Sequence, residues 1–248
     1  MILRQFYHLG RYSLWLLKVF SRPEKARMYY NEVLRQIEEI GFGSLKIVFI
    51  ISVFIGAVTA IQLSYQFGGT LIPSYYIGYT LREMIIVDLA PTITSLVLAG
   101  KIGSSIAAEI GGMRQKEIID AMEIMGLNTP AFLVLPKIIG AVFSVPLLII
   151  LAAGLSIFSG FATATALAGF TPADFIKGLT SFYDSYTVWV MIIKAFFFSF
   201  IIVTVSAYHG YFVKRGSIEL GKAGTDAIVY SSILILIADY VIAQVMMG

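Results

Sequence analysis

Four stretches of this chain, residues 45–67, 84–108, 187–212 and 226–247, are almost wholly apolar and long enough to cross a lipid bilayer as helices. A span needs roughly 20 apolar residues to traverse ~30 Å of hydrocarbon, where no water satisfies an exposed peptide group. Composition agrees: 58% of the 248 residues are hydrophobic and 13% are charged, against about 25% charged in soluble domains. A fifth apolar stretch, 131–168, has room for one span with an entry segment or for two minimal ones. Cationic residues arbitrate, because Lys and Arg collect in cytoplasmic loops. Taken as one span, it leaves fifteen Lys/Arg in the inside regions 1–46, 101–137 and 214–224, and two, Arg82 and Lys177, outside; Lys194 alone lies within a span. Splitting it gives thirteen against four, and the stretch has no polar turn. The expectation is an all-α membrane protein of five transmembrane helices forming one domain, residues 1–248, with a cytoplasmic N-terminus and an external C-terminus. Pro136 and Pro146 are expected to bend or interrupt the long third element.

Ahead of the first span, Arg4, Arg11 and Lys18 recur every seven residues on one helical face, opposite Ile2, Phe6, Leu9, Leu16 and Phe20. That is the pattern of an amphipathic interfacial helix. The same cations interrupt every apolar run that could form the core of a secretory signal, so the segment is expected to be retained. Ser21 and Glu24 have capping-box spacing around Pro23, opening a second amphipathic helix with the stripe Ala26, Tyr30, Val33, Ile37 and Ile40. Residues 1–44 are thus expected to lie along the membrane; the alternative is a small cap packed on the protein's own loops.

Several chemistries are excluded by residue type. No cysteine is present, which removes disulfides, thiolate metal sites and cysteine nucleophiles, and two histidines leave little for a metal centre. A net charge of +3 gives no reason to expect a nucleic-acid partner. No G-x-x-x-x-G-K-[ST] run occurs, so the chain lacks the loop that cradles ATP phosphates.

Between spans two and three comes MRQKEIIDAMEIMG, residues 113–126. Ile118, Ala121, Met122 and Met125 repeat at helical spacing, while Glu117, Asp120 and Glu123 stand three apart on an adjacent face. Gly126 stops the helix and Pro130 follows. Such a helix, with an apolar ridge and an acidic flank, can insert into a groove on a soluble protein. It can equally cover the cytoplasmic end of its own bundle, and pattern alone leaves both readings open.

The run AGKIGSSIAAEIGGMRQKEIIDAMEIMGLNTP, residues 99–130, resembles the signature of MlaE-type (YrbE-like) permeases, the membrane subunits of lipid-transporting ABC systems that work with MCE-domain proteins. LAPTITSLVLAG at 89–100 and GTDAIVYSSILILIADYVIAQVMMG at 224–248 resemble the family's second and final spans, so the likeness runs from about residue 45 to the C-terminus. Lys101 stands where the family usually has arginine, Ile119 where glutamine is common and Asn128 where aspartate is common. Val87-Asp88 stands in place of an Arg-Glu pair. A contact that needs a forked guanidinium at 87 or 101 therefore does not transfer.

The resemblance implies a homodimeric permease in a bacterial inner membrane, with no cofactor of its own and no catalytic residue. ATP and Mg would be bound by a cytoplasmic ABC ATPase on which residues 113–126 rest as a coupling helix. Arg114, Glu117, Ile118, Asp120, Met122, Glu123 and Met125 would form that contact, the apolar ones as anchors and the acids facing basic residues. It also implies a phospholipid or related cargo, a hexameric MCE ring outside as partner, and room for a STAS-like accessory protein. The cargo cavity would lie at the dimer interface, with Gln62, Tyr65, Tyr75, Tyr76, Tyr79, Val241 and Val245 as candidates. For the tyrosines, anchoring at the membrane interface is the competing role.

Acids within spans need explanation, since an ionised carboxylate at mid-bilayer costs at least ~2.5 kcal/mol on insertion scales. Glu109 is expected near the cytoplasmic boundary, paired with Arg114 or a helix terminus. Asp88 falls in the external headgroup zone, and Asp239, mid-span, is expected to face protein or cavity. Glu109, Lys101 and Asp239 are the candidates for a gating or structural salt bridge. Gly56 with Ala60, and Gly103 with Ala107, have the spacing that lets helices approach closely. A secondary transporter or channel driven by an ion gradient is the rival reading. The lack of a second homologous half and the scarcity of paired intramembrane charges count against it.

Overall fold

A computed structural model describes residues 2–21, 26–67, 73, 75–166, 171–214 and 216–247, and no strand occurs among them. The helices are α1 (Ile2–Phe20), α2 (Ala26–Ile37), α3 (Gly43–Phe67), α4 (Tyr75–Met84), α5 (Ala90–Leu98), α6 (Ser104–Gln115), α7 (Ile118–Ile124), α8 (Thr129–Ala166), α9 (Pro172–Thr180), α10 (Ser185–Tyr211) and α11 (Ser217–Met247). Wider π-type turns at Glu38–Phe42, Ile85–Leu89 and Ala99–Gly103 join α2 to α3, α4 to α5 and α5 to α6 without a break. Five continuous runs are long and apolar enough to cross a membrane: Tyr29–Phe67, Tyr75–Gln115, Thr129–Ala166, Ser185–Tyr211 and Ser217–Met246. The protein is an all-α, multi-pass membrane protein.

The helical runs extend beyond the apolar stretches that announce them. The first begins at Tyr29 rather than near residue 45, so α2 leads into α3 instead of forming a separate surface element. Residues 131–166 belong to one 38-residue helix, Thr129–Ala166, that Pro136 and Pro146 do not interrupt, and residues 167 and 168 lie outside the described residues. A proline removes one backbone hydrogen bond, and a membrane helix packed among others absorbs that loss. At about 1.5 Å per residue, α8 measures ~57 Å, so part of it must extend past the hydrocarbon.

Contacts divide the chain into two compact units: residues 1–43, 97–144 and 198–237, and residues 44–96, 145–197 and 238–248. In the first unit, α1 is fixed by its inward face. Trp15 and Val19 are buried, Trp15 lies edge-on to Tyr208, and the Tyr12 hydroxyl donates to Thr204 at 2.7 Å. The Asn128 amide donates to the carbonyls of Lys18 and Ser21, closing the end of α1. Leu14, Leu17 and Phe20 stay exposed, although Phe20 stacks on Phe200. The expected stripe of α2 is shifted by one residue at its start: Tyr29, Gln36 and Ile40 are buried while Tyr30 is exposed. Of the other N-terminal expectations, Pro23 and Glu24 lie outside the described residues. So do the side chains of Ile2, Arg4, Phe6, Leu9 and Ala26. Gly103 faces Ser206, and Gly210 meets the backbone of Ala107. Ala223, Ala227, Ser231 and Ile235 form the one buried seam of α11 in this unit, at four-residue spacing.

The second unit is held by equally close approaches. Gly56 lies against the carbonyl of Ser156, whose hydroxyl donates to Ser52 O at 2.9 Å; Ser159 donates to Val53 O at 2.9 Å. Thr171 caps α9 by accepting from Asp174 N, with Pro172 in the first helical position. Gly78 and Gly178 then let α4 and α9 cross almost backbone to backbone. Buried Arg82 locks that crossing by donating to the carbonyls of Leu179, Ser181 and Phe182 at 2.5, 3.1 and 3.0 Å, with Glu83 as counter-ion at 2.7 Å.

A Cβ at position 178 would stand 2.1 Å from Tyr75 O. Gly178→Leu is therefore expected to destabilise the protein by at least ~1–3 kcal/mol, the usual cost of overpacking. Gly154→Ala, which meets nothing within 4 Å, should not. Thermal unfolding of the two variants in the same detergent checks the contrast.

Candidate functional site

The segment expected as one helix over 113–126 is two pieces. α6 ends at Gln115, Glu117 takes the left-handed conformation at φ 59°, and α7 begins at Ile118. Few non-glycine residues adopt that geometry, so surrounding contacts must fix it. Contacts on both sides of the turn do so. The Arg114 guanidinium spans the break to Asp120 at 2.6 Å and lies 5.8 Å from the Tyr211 ring centre. The Tyr211 hydroxyl donates to Glu123 at 2.7 Å, and Thr129 is 2.8 Å from the same hydroxyl. Ile119 is wholly buried beneath α7, and Gly126 ends the segment at φ 81°.

This arrangement changes which side chains are available. Asp120 and Glu123, expected to face a partner, hold Arg114 and Tyr211 of their own chain. Met122 is half-buried, and Glu117 is exposed at the turn. What projects is apolar: Ile118, Met125 at 70% exposure and Ile124 at 87%. Ile124 was missed by periodicity, because the break at Lys116–Glu117 resets the helical phase.

Within the second unit, three spans contribute to a charge cluster around Lys194 of α10, whose side chain is 1% exposed. Its ammonium lies 2.6 Å from Asp239 of α11, 3.8 Å from Asp88, and donates to Val87 O at 3.0 Å. Val87 and Asp88 belong to the π-type turn Ile85–Leu89, where the wider winding leaves a carbonyl available to a side chain. Thr92, one turn on, donates to Asp239 at 3.1 Å and stands 3.3 Å from Asp88. Two carboxylates around one ammonium leave one formal negative charge when all are ionised. Such a group can bind a cationic headgroup or lock three helices together.

Glu109 pairs with Lys137 of α8 at 2.5 Å instead of Arg114, which is taken by Asp120. Lys101 donates to the Gly43 carbonyl. The trio Glu109, Lys101 and Asp239 therefore has three different partners, and Asp88 belongs to a cluster where the sequence assigned it no task. Paired intramembrane charges are also more numerous than the sequence implied. Lys137, Lys194 and Arg82 were the residues overlooked as partners. Their only sequence signal is the cost of a lone cation in an apolar run, and the partners lie on other helices.

Most of the residues proposed for a cargo cavity lie at the surface of the single chain, whereas Tyr75 and Tyr79 are half-buried. Gln62 and Val241 are exposed, Val245 more so, and Tyr65 is 85% exposed. Tyr75 and Tyr76 stack at 4.8 Å, Tyr76 and Tyr79 meet edge-on at 6.4 Å, and Tyr79 packs edge-on to Phe182.

Residues 33–245 match the family described as Permease MlaE. The chain is 31% identical over 236 residues to a probable ABC transporter permease protein of Rickettsia bellii, covering 95% of this chain and 91% of that one. It is 30% identical over 236 residues to a probable ABC transporter permease protein of Synechocystis, with 92% and 87% covered. It is 26% identical over 248 residues to the intermembrane phospholipid transport system permease protein MlaE of Haemophilus influenzae, with 98% and 93% covered.

Removing the buried cation strands two carboxylates. Lys194→Met should cost about 3–5 kcal/mol, the usual effect of breaking a buried ion pair. Adding Asp239→Leu should recover part of that loss. A double-mutant cycle on thermal stability in detergent measures the coupling, and strictly additive losses would show that the pair is not energetically linked.

Proposed function

The chain belongs to the MlaE permease family, and from that premise we propose that it is the membrane subunit of an ATP-driven transporter moving phospholipid between the inner membrane and an MCE-protein conduit. The match across residues 33–245, together with a relative named as an intermembrane phospholipid transport permease, carries this reading. An ABC permease works with an ATPase, and this sequence has no phosphate-cradling loop. ATP and Mg therefore belong to the partner.

The coupling contact in this proposal is the projecting ridge Ile118, Ile124 and Met125, which sits in a groove of the ATPase. Arg114–Asp120 and Tyr211–Glu123 act within the permease, holding α7 rigid so that a push from the ATPase reaches α6 and α8. Homodimerisation is supported by the exposure of α11. Only 11% of its most apolar stretch is buried, against 56% for the second, third and fourth spans. Gln62, Tyr65, Val241 and Val245 would line the cargo cavity once two copies meet. The Lys194 cluster would gate or brace the helices around it. A cytoplasmic N-terminus, an external C-terminus, the MCE ring and a STAS-like accessory protein complete the proposed assembly.

Purification of the tagged chain from its native membrane in mild detergent, followed by mass spectrometry of stoichiometric companions, tests the assembly; reproducible recovery of the chain alone would overturn it. In the reconstituted complex, Ile124→Glu with Met125→Glu is expected to lower lipid-dependent ATPase by about tenfold or more, the loss of one good interface anchor. Membrane insertion and unfolding temperature should stay as in the wild type. Unchanged coupling in that variant would remove α7 from the contact.

A further inference from the structure

The first unit contains a cavity of about 780 Å³ that the transport reading does not use. Arg11, Leu14, Trp15 and Lys18 of α1 line it, together with Arg114 and Phe212. Its charge balance is uneven. Arg114 is neutralised by Asp120, and the cavity's own carboxylate, Glu123, is engaged by Tyr211 and Thr129. Arg11 lies 3.8 Å above the Phe212 ring. Among the described residues, neither Arg11 nor Lys18 has a carboxylate within 4.0 Å.

Trp15 forms part of the cavity wall and is itself 4% exposed. Two cations without a carboxylate partner call for an oxyanion. Leu14, which also lines the cavity, is 66% exposed, and Leu17, one turn further along α1, is 67% exposed. On a multi-pass membrane protein, a helix with exposed leucines beside basic residues lies at the lipid headgroup level. Acyl chains are then at hand on one side and phosphate partners on the other.

We propose that this cavity is a binding site for a resident anionic phospholipid, its phosphate held by Arg11 and Lys18 and its acyl chains laid along Leu14 and Leu17. The site is separate from any cargo path assigned above, and its existence does not depend on which lipid is transported or in which direction. A free phosphate shares the headgroup chemistry but leaves the leucines uncovered.

The test uses Trp15 as reporter. The chain has two tryptophans, and Trp189→Phe leaves only the one in the cavity. In phosphatidylcholine nanodiscs, acyl-brominated phosphatidylglycerol is expected to quench Trp15 saturably, and brominated phosphatidylcholine at equal bromine content only weakly. Arg11→Gln with Lys18→Gln should raise the half-saturating phosphatidylglycerol fraction by about 30-fold, as two basic contacts to an anionic headgroup predict. If that pair unfolds the protein, Lys18→Gln alone, at an exposed position, should give about fivefold. Equal quenching by the two lipids, or a half-saturation point indifferent to these substitutions, overturns the site. Displacement of the brominated lipid by inorganic phosphate overturns the lipid assignment in favour of a free anion.

Discussion

A bilayer offers no water to a polar group, so each peptide and charge within it must find its partner inside the protein. That constraint explains why the described residues are helical almost throughout and why π-type turns, rather than breaks, accommodate irregular winding. It also explains the company kept by Lys194. A solvated lysine needs no neighbours, whereas one at 1% exposure collects a carbonyl and two carboxylates from other helices. Arg82 and Lys137 follow the same rule with carbonyls and with Glu109. Stability from such pairs is modest once desolvation is counted, but breaking them is expensive. They therefore fix which helix faces which more than how tightly the helices hold.

The number of spans and the helical class were legible because both follow from local hydropathy. The choice of one element over 131–168 followed from counting cations, and α8 is one helix. Small residues at four-residue spacing also read correctly: Gly56 and Gly103 stand at close helix contacts. Where the reading failed, the missing information was non-local. Nothing near Glu109 announces Lys137, 28 residues away, and nothing near Asp88 announces Asp239. The break in 113–126 was hidden for a related reason. Glu117 is held left-handed by a network that includes Tyr211, from the far end of the sequence, while the local pattern favours an unbroken helix.

That break bears on the site as well as the fold. An uninterrupted amphipathic helix would present three acids to a partner. The observed one uses Asp120 and Glu123 to fasten itself and presents Ile118, Ile124 and Met125. Polar groups already satisfied within a chain add little to an interface, whereas exposed apolar anchors bury their area on docking. On the proposed coupling reading, α7 would be recognised by shape and hydrophobic contact more than by charge.

The case against the rival reading, a transporter driven by an ion gradient, rested partly on how few intramembrane charges seemed paired. The structure weakens that objection, since Lys194 pairs with both Asp88 and Asp239. Membership of the MlaE permease family now decides against the rival, on grounds independent of charge. On the proposed reading the cluster would need a role within an ATP-driven machine. Such a machine does not require a proton to be carried, but it does require helices that separate and re-engage. Three helices joined through one ammonium form a contact that is costly to leave half-made, so partial opening is disfavoured relative to fully closed or fully rearranged states. On the proposed reading, the buried lysine would turn a packing requirement of the membrane into a two-state element on which an ATPase could act.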